Sequence, residues 1–197
     1  MFFWMFLEFT YVIIYNMFHE RTVSMKITLA QAINLLSSLH KKIGDLHVEI
    51  INIHVIEVPK GETYTPFERT VEGVLREFTN IQQDLLKLKE IIQQANLHNQ
   101  VEWDGSSISM TRAIETAKQL RERLDLLKMM ATTQKREYNV HHRSGAIMER
   151  IALFDPSEYK RQAEKLSRQV ELLSSRIDKV NYTVEIEVPL AAKYLEA

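Results

Sequence analysis

The sequence predicts a mainly α-helical protein in which four long helices form an antiparallel, coiled-coil-like bundle, with short β-strands in the connections at one end. Only five glycines and four prolines interrupt the 197 residues, which favours long helices over a fold of many short turns. Four segments carry apolar residues at alternating intervals of three and four, the spacing of a single buried helical stripe. The connections between them are enriched in β-branched residues, which is typical of strands.

The first predicted helix begins near Leu29. Its apolar residues recur at two seam positions of a seven-residue repeat, Leu29, Leu36, Ile43 and Ile50 at one and Ala32, Leu39 and Leu46 at the other. This spacing places them on one face, which predicts a helix with one buried stripe.

The second predicted helix starts at Thr65-Pro66-Phe67-Glu68, where a threonine cap, a proline at the first helical position and a glutamate three residues later are typical start signals. Asp155-Pro156-Ser157-Glu158 starts the fourth helix in a similar way. The seam of the second helix is Val71, Val74, Phe78, Ile81, Leu85, Leu88, Ile92 and Ala95. That of the third is Ala113, Ala117, Leu120, Leu124, Leu127 and Ala131. That of the fourth is Tyr159, Ala163, Leu166, Val170, Leu173, Ile177 and Val180.

Four connecting stretches predict short strands, with a tight turn at Asp104-Gly105. They are Ile53 to Val58, Val101 to Trp103, Ile147 to Leu153 and Tyr182 to Val188. We expect these strands to meet in one small β element. Because each helix has only a narrow apolar seam, the helices must pack on one another or on a second copy, so we expect a homo-oligomer.

Residues 1–24 form an apolar extension that precedes the predicted bundle domain, residues 25–197. The extension is a marginal length for a membrane span, and its polar interruptions and lack of a preceding basic residue make it a poor signal peptide. Codons for Glu20-Arg21-Thr22 can contain a purine-rich ribosome-binding sequence, at a workable distance before the methionine codon of Met25. We therefore expect translation of the native protein to start at Met25. A membrane is a partner only if residues 1–24 are native, and otherwise we expect a cytoplasmic protein.

The composition excludes several functional classes. A formal charge of -1 argues against nucleic acid as a partner, and the absence of cysteine rules out disulfides, thiolate metal sites and cysteine nucleophiles. No phosphate-binding glycine loop, nucleophile elbow or metalloprotease motif occurs, and the His141-His142 doublet lacks metal-like spacing. We therefore expect no enzymatic activity, no metal and no cofactor.

Polar and aromatic residues cluster at the predicted helix ends and form a candidate ligand site. The predicted ligand-binding residues are Asn96, Asn99, Trp103, Arg121, Arg143, Asn181 and Tyr182. Amides that hydrogen-bond a base or ribose, aromatics that stack and guanidinium groups that bind phosphate suit a nucleotide-like ligand. In the alternative interpretation the asparagines are helix C-caps, the two aromatics pack in the core and the arginines are solvated.

From Met25 onward the chain resembles the septicolysin-like family of small bacterial and phage helical proteins. The resemblance lies in the element order, Asn96-Leu97-His98-Asn99 after the second helix, Asp104-Gly105, and Ile177 to Tyr182 in the fourth helix. Arg121 and Arg143 match the arginines of that family only approximately. The resemblance implies a helical, oligomeric protein without an established enzymatic activity.

These observations support three functional hypotheses. The first is a non-catalytic bundle that sequesters a nucleotide-derived immune signal, such as an ADP-ribose-like molecule or a cyclic nucleotide, as a phage protein would. The second is an oligomerisation scaffold without a small-molecule ligand. The third is a membrane-active septicolysin-like protein, although residues 25–197 contain no pore-forming segment.

Overall fold

The computed structural model of the chain describes residues 24–140, 145 and 147–195. In chain order the elements are β1 (Met25–Thr28), α1 (Leu29–Ile53), α2 (Val71–His98), β2 (Gln100–Trp103), β3 (Ser106–Ser109), α3 (Met110–Thr132), β4 (Arg136–Val140), β5 (Ile147–Ile151), α4 (Pro156–Thr183), β6 (Glu185–Val188) and α5 (Ala192–Leu195). The prediction of a mainly helical protein with four long helices and short strands is confirmed.

The described chain divides into two compact units. Unit 1 contains the described residues up to Ala95 and those from Asn181 onward, and unit 2 contains residues Asn96–Val180. The packing of all four helices into one coiled-coil-like bundle, and a single domain over residues 25–197, remain predictions.

In unit 1, α1 and α2 form an antiparallel hairpin. Lys42 pairs with Glu77 at 3.1 Å, whereas Glu49, further along α1, pairs with Arg69, which precedes α2. The helices therefore run in opposite directions. Their seams form the core of the unit, together with Ile27, Val188 and Ala191. The buried seam residues are Leu29, Ala32, Leu35, Leu39, Leu46, Val74, Ile81, Leu85, Leu88 and Ile92.

The sheet of unit 1 joins the beginning of the described chain to its end. β1 and β6 pair antiparallel, with Met25 opposite Val188 and Thr28 opposite Glu185. The Leu29 amide also donates to the Val184 carbonyl at 3.0 Å. This pairing holds the segment that leads to α5 against the start of α1.

Side-chain caps define the beginning of the helices in unit 1. The Thr28 hydroxyl accepts from the Gln31 amide while the Gln31 side chain accepts from the Thr28 amide, which completes a capping box before α1. For α2 the cap is Thr70, whose hydroxyl accepts from the Gly73 amide at 3.2 Å. The predicted start at Thr65 is wrong, because the first helical residue is Val71.

Unit 2 begins with the predicted tight turn. β2 and β3 pair around Asp104 and Gly105, which have φ values of 50° and 73°. Two consecutive positive φ angles are those of the hairpin turn that favours Asp-Gly. The Ser109 hydroxyl then accepts from the Arg112 amide at 3.2 Å and caps α3.

The helices α3 and α4 form the second antiparallel hairpin. Ala113 and Ala117, early in α3, cluster with Leu173 and Ile177, late in α4. The later part of α3 packs with the earlier part of α4 through Leu124, Leu127, Ala163, Leu166 and Val170. As predicted, α4 starts after Asp155, whose carboxylate accepts from the Ser157 amide at 3.0 Å.

Two predictions about the strands are wrong. Residues 53–58 form no strand, since Ile53 is the last residue of α1 and residues 54–58 lie outside any helix or strand. The strands also do not meet in one β element, since β1–β6, β2–β3 and β4–β5 are separate two-stranded sheets. β1, β3 and β4 were not among the predicted strands, although β3 follows the predicted turn at Asp104-Gly105. The pairing of β1 with β6 spans most of the chain and has no local sequence signal, whereas β4 and β5 are neighbours in sequence.

Residues 1–23 lie outside the described residues. Whether they belong to the native protein and whether they contact a membrane therefore remain predictions. Among the residues that the structure describes, no helix is both long and apolar enough to cross a membrane. The predicted cytoplasmic location is not tested by this finding.

Candidate functional site

A polar cleft of about 360 Å³ lies wholly within unit 1. It is lined by residues of α1, α2 and α5, namely Lys42, Gly73, Arg76, Glu77, Asn80, Ile81, Lys193 and Tyr194. We call it the unit 1 cleft. Three of its lining residues are cationic and one is anionic, so the lining carries a formal net charge of +2.

One face of α2 forms the floor of the unit 1 cleft. Gly73, Arg76, Glu77, Asn80 and Ile81 follow the spacing of residues that share a helical face. Ile81 is buried and anchors this face to the core, whereas Arg76 and Asn80 are exposed. The helix therefore presents a guanidinium group and an amide side by side, one turn apart.

Asp84 binds Lys193 and Tyr194, the two cleft residues from α5. One of its carboxylate oxygens accepts from the Lys193 ammonium at 2.6 Å and from the Tyr194 hydroxyl at 2.7 Å. The Lys193 nitrogen also lies 5.0 Å from the centre of the Tyr194 ring, a cation–π distance. Because Ala191 is fully buried at the start of α5, both ends of this short helix are held in place.

The three groups shift one another's pKa values. Burial raises the pKa of Asp84, but the hydrogen bonds from Lys193 and Tyr194 outweigh it, so the net pKa is lowered. The hydrogen bond to Asp84 raises the pKa of Lys193, and burial, followed by the same carboxylate, raises the pKa of Tyr194. At neutral pH Asp84 is therefore ionised and Lys193 is charged.

The opposite side of the cleft contains a second set of charges. Glu77 pairs with Lys42 at 3.1 Å and also with Arg69, and the hydrogen bond from Lys42 is the largest cause of its lowered pKa. Arg76 makes no ion pair within the part of the chain that the structure describes. Among the described residues, its guanidinium group is therefore the cation of the cleft lining that is left to bind an anion.

We expect the Asp84→Asn variant to be less stable than the parent protein at neutral pH, by ~0.5–1 kcal/mol, because Lys193 is more than half exposed and water screens the pair. The lowered pKa of Asp84 stabilises the fold above its ordinary value near 3.8, and this contribution disappears as the pH falls through the folded-state pKa. Urea denaturation at several pH values would measure it. A difference between the two proteins that persisted at the lowest pH would contradict this assignment.

Two of the asparagines predicted to bind a ligand, or in the alternative interpretation to cap helices, occupy positions inside helices. Asn96 lies within α2, which ends at His98, and Asn181 lies within α4, which ends at Thr183. The side-chain oxygen of each is buried and accepts no hydrogen bond from the described residues. The capping interpretation is therefore wrong for these two residues, and each presents an unused acceptor.

The other predicted site residues have varied surroundings. Asn99 follows α2, and its carbonyl accepts from the Met110 amide at 2.8 Å. Trp103 packs partly against the core of unit 2, as in the core interpretation, whereas the Tyr182 side chain is 72% exposed and packs in no core. Arg121 donates to the Ser174 hydroxyl at 2.7 Å and joins α3 to α4.

Arg143, with the histidine doublet before it, lies outside the described residues. Asn96, Asn99, Trp103 and Arg121 belong to unit 2, whereas Asn181 and Tyr182 belong to unit 1. A ligand role for the predicted set remains a prediction. Within the described ranges, no group of three His, Asp or Glu side chains is placed to hold a metal ion.

Sequence reasoning missed the unit 1 cleft because its charged residues have the pattern of ordinary solvated helix surfaces. Lys42 and Arg76 are exposed on helices, and α5 lies beyond Val188, the end of the last predicted strand. A signal was present in the spacing of Leu190, Ala191 and Tyr194, which places three apolar side chains toward one core.

A second cleft of about 510 Å³ lies within unit 2, between the end of α3 and the β4–β5 hairpin. Its lining is mostly apolar and includes Met129, Met130, Ile151, Leu153 and Phe154. The Phe154 ring packs edge-on against Tyr159 at 5.1 Å. Its charged lining residues, Glu137 and Arg150, pair with each other, so the described part of the lining offers no unpaired charge to an ionic ligand.

Comparison with known proteins gives a family and a fold. The sequence profile of a family of unknown function, DUF6847, matches residues 26–186. A solved structure, described as that of a functionally unknown conserved protein from Corynebacterium diphtheriae, is similar to this chain with a TM-score of 0.66 and 15% sequence identity. The similarity covers 82% of this chain and 99% of that one, and it shows the fold alone. No curated protein matches significantly, and the resemblance to septicolysin-like proteins remains a prediction.

Proposed function

This chain belongs to the DUF6847 family of unknown function, and we propose that it is a non-catalytic binding protein that holds a small anionic ligand in the unit 1 cleft. The observation that carries the proposal is the guanidinium group of Arg76, which has no ion pair among the described residues and shares one cavity with the ammonium groups of Lys42 and Lys193. A phosphate-type group could bind Arg76 with two parallel hydrogen bonds, with the two lysines adding charge.

The remaining lining favours a nucleotide-derived ligand over a bare inorganic anion. Asn80 supplies an amide that can bind a base or ribose edge, and Tyr194 supplies an aromatic ring. These are the residue types that the sequence led us to expect near Asn96 and Asn181. The volume of about 360 Å³ is within the range of small-molecule sites.

Binding without turnover is favoured by the chemistry of the lining. The carboxylates near the cleft, Glu77 and Asp84, have lowered pKa values and are engaged in ion pairs, so neither is set up as a proton donor or acceptor near neutral pH. Within the described residues, the lining contains no serine, threonine or histidine to act as nucleophile or base. We propose that the protein acts by sequestering its ligand, in an oligomer built as a helical bundle.

The test is a thermal-shift screen of the full chain against ADP-ribose derivatives, cyclic nucleotides, nucleoside diphosphates and inorganic phosphate. A bound ligand at 100 times its Kd stabilises the folded state by about 2.7 kcal/mol, which is readily detected as a higher Tm. Mass analysis after denaturation should recover the ligand unchanged. A ligand recovered as a product would contradict binding without turnover.

Variants then locate the site. We expect Arg76→Gln and Lys42→Gln each to weaken binding about tenfold, because each removes a charge-assisted contact with the anion. Lys41→Gln is the matched control, since Lys41 is the neighbouring exposed lysine on α1 and does not line the cleft. The proposal would be refuted if all three variants lost affinity equally, or if no compound raised the Tm of the parent protein. Either result would favour a scaffold role.

A further inference from the structure

The β4–β5 hairpin of unit 2 has one strongly apolar face. Residues directly opposite each other in an antiparallel pair point to the same side of the sheet. Val140 is opposite Ile147, Tyr138 is opposite Glu149, and Arg136 is opposite Ile151. These six residues therefore share one side, which we call the hairpin face. Glu137, Asn139, Met148 and Arg150 share the other side.

The apolar side chains of the hairpin face are exposed in the single chain. The exposed fractions are 64% for Tyr138, 61% for Val140, 73% for Ile147 and 52% for Ile151. A two-stranded sheet is only marginally stable in water unless one face is covered. Four large apolar residues clustered on one side are also more than the scattered exposure that is normal for a monomer. The hairpin face is therefore expected to be covered by another surface.

The charges of the hairpin face indicate what covers it. The Arg136 guanidinium group lies 3.2 Å from a carboxylate oxygen of Glu149, so the face carries one cation and one anion beside its apolar residues. A two-fold interface brings the same patch of two copies together, so each patch must contain its own complement. A face with one positive charge, one negative charge and an apolar centre fulfils that requirement.

We propose that the hairpin face is the contact through which two copies of this chain associate. Across a two-fold axis the apolar side chains of one copy pack on those of the other, and Arg136 of each copy faces Glu149 of the other. The two carboxylates and two guanidinium groups would then alternate, which is more favourable than the isolated exposed pair in one chain. This association is independent of the ligand proposed for unit 1.

The first test uses sedimentation velocity of the full chain over a range of concentrations. Because the face is small, we expect a dimer with a dissociation constant of about 1–100 µM. The double variant Val140→Thr/Ile147→Thr keeps β-branched residues in the strands but makes the centre of the face polar. We expect it to raise the dissociation constant at least about tenfold, since each substitution occurs twice in the dimer.

The control variant is Asn139→Thr/Met148→Thr. It changes a directly opposite pair on the other side of the same two strands, where Met148 is 53% exposed. We expect it to dimerise like the parent protein. Circular dichroism of both variants checks that the helices are unchanged. If the two double variants weakened association equally, the effect would come from the hairpin as a whole, and the proposed face would be wrong.

A charge-reversal experiment identifies the second copy as the occupant. Arg136→Glu leaves two acidic residues on the face, and Glu149→Arg leaves two basic residues. We expect each variant alone to be monomeric where the parent protein dimerises, and an equimolar mixture of them to form a heterodimer. This rescue requires contact between two hairpin faces, because each chain of the mixture keeps its own like-charge pair.

Two results of the sedimentation experiments on the separate proteins would overturn the proposal. One is a parent protein that stays monomeric up to about 100 µM, which would show that the face is open or covered by a different partner. The other is a dimer that Val140→Thr/Ile147→Thr and both charge reversals leave unchanged, which would place the contact elsewhere. A failed rescue in the mixture, with both single variants monomeric, would also count against a face-to-face contact between copies.

Discussion

Replacing Leu88 by alanine should lower the free energy of unfolding by about 3 kcal/mol. Leu88 is fully buried in the core of unit 1, in the middle of the α2 seam. Removing a buried leucine side chain beyond its β-carbon costs its transfer free energy and leaves a cavity, with measured losses of about 2–5 kcal/mol. Chemical denaturation followed by far-UV circular dichroism gives the free energy directly, provided that the slope of the transition is unchanged.

The matched control for this prediction is Leu86→Ala. Leu86 lies two residues earlier in the same helix, and its side chain is 65% exposed. Both substitutions have the same effect on helix propensity, so their difference isolates the effect of burial. We expect Leu86→Ala to change the free energy of unfolding by no more than about 0.5 kcal/mol. Equal losses in the two variants would show that the seam of α2 is not the core of unit 1.

The seams were predictable because a helix converts sequence spacing directly into position on a face. Leu29, Leu39 and Leu46 in α1, and Ile81, Leu85 and Leu88 in α2, were assigned to seams and are buried. Leu35 was not assigned to a seam, yet it is also buried, since the apolar stripe of α1 is broader than a strict heptad predicts.

The start of α2 was not predictable because two capping signals compete within a few residues. Thr65-Pro66-Phe67-Glu68 has the sequence of a helix start, but Thr70 supplies a side-chain cap five residues later. A capping motif indicates where a helix can begin, whereas tertiary contacts determine which of the possible positions is used. Here Arg69, the residue before the Thr70 cap, forms ion pairs with Glu49 and Glu77.

The unit 1 cleft was not predictable because it joins residues far apart in the chain. Lys42, Arg76 and Lys193 each have the local sequence of a solvated surface. Long-range contacts, among them the β1–β6 pairing and the Asp84–Lys193 ion pair, bring α5 to the helix hairpin. An amide and an aromatic ring, the residue types expected for a nucleotide-like ligand, also line this cleft, and their ligand role remains a prediction. The cavity in unit 1 nevertheless gathers Asn80 and Tyr194, whereas prediction had assigned the roles to asparagines at helix ends.

Replacing Asn181 by leucine should raise the free energy of unfolding by about 1–3 kcal/mol. Its side-chain oxygen is buried without a hydrogen bond from the described residues, and leaving such a group unsatisfied costs about that amount. Leucine has a similar size and no polar atom. Asn96→Leu should have the same sign, since the Asn96 oxygen is buried in the same way. Thermal and chemical denaturation of the full chain measure both effects.

The control is Asn34→Leu, because Asn34 is exposed on α1. This exchange reports only the better helix propensity of leucine, which should raise the free energy of unfolding by about a few tenths of a kcal/mol. If Asn181→Leu or Asn96→Leu raises the free energy of unfolding by more than Asn34→Leu does, the native asparagine lowers the stability of the protein at that position. Stability lost on substitution would instead mean that the oxygen has a partner in solution, such as an ordered water.

The same variants test the ligand role predicted from sequence. A ligand that donates a hydrogen bond to Asn181 or Asn96 would bind at least about tenfold more weakly to the leucine variant, even though that variant is more stable. Stability and affinity would then change in opposite directions, which a purely structural asparagine cannot produce. Unchanged affinity, together with the loss expected for Arg76→Gln, would confine the binding site to the unit 1 cleft and leave these asparagines without a part in it.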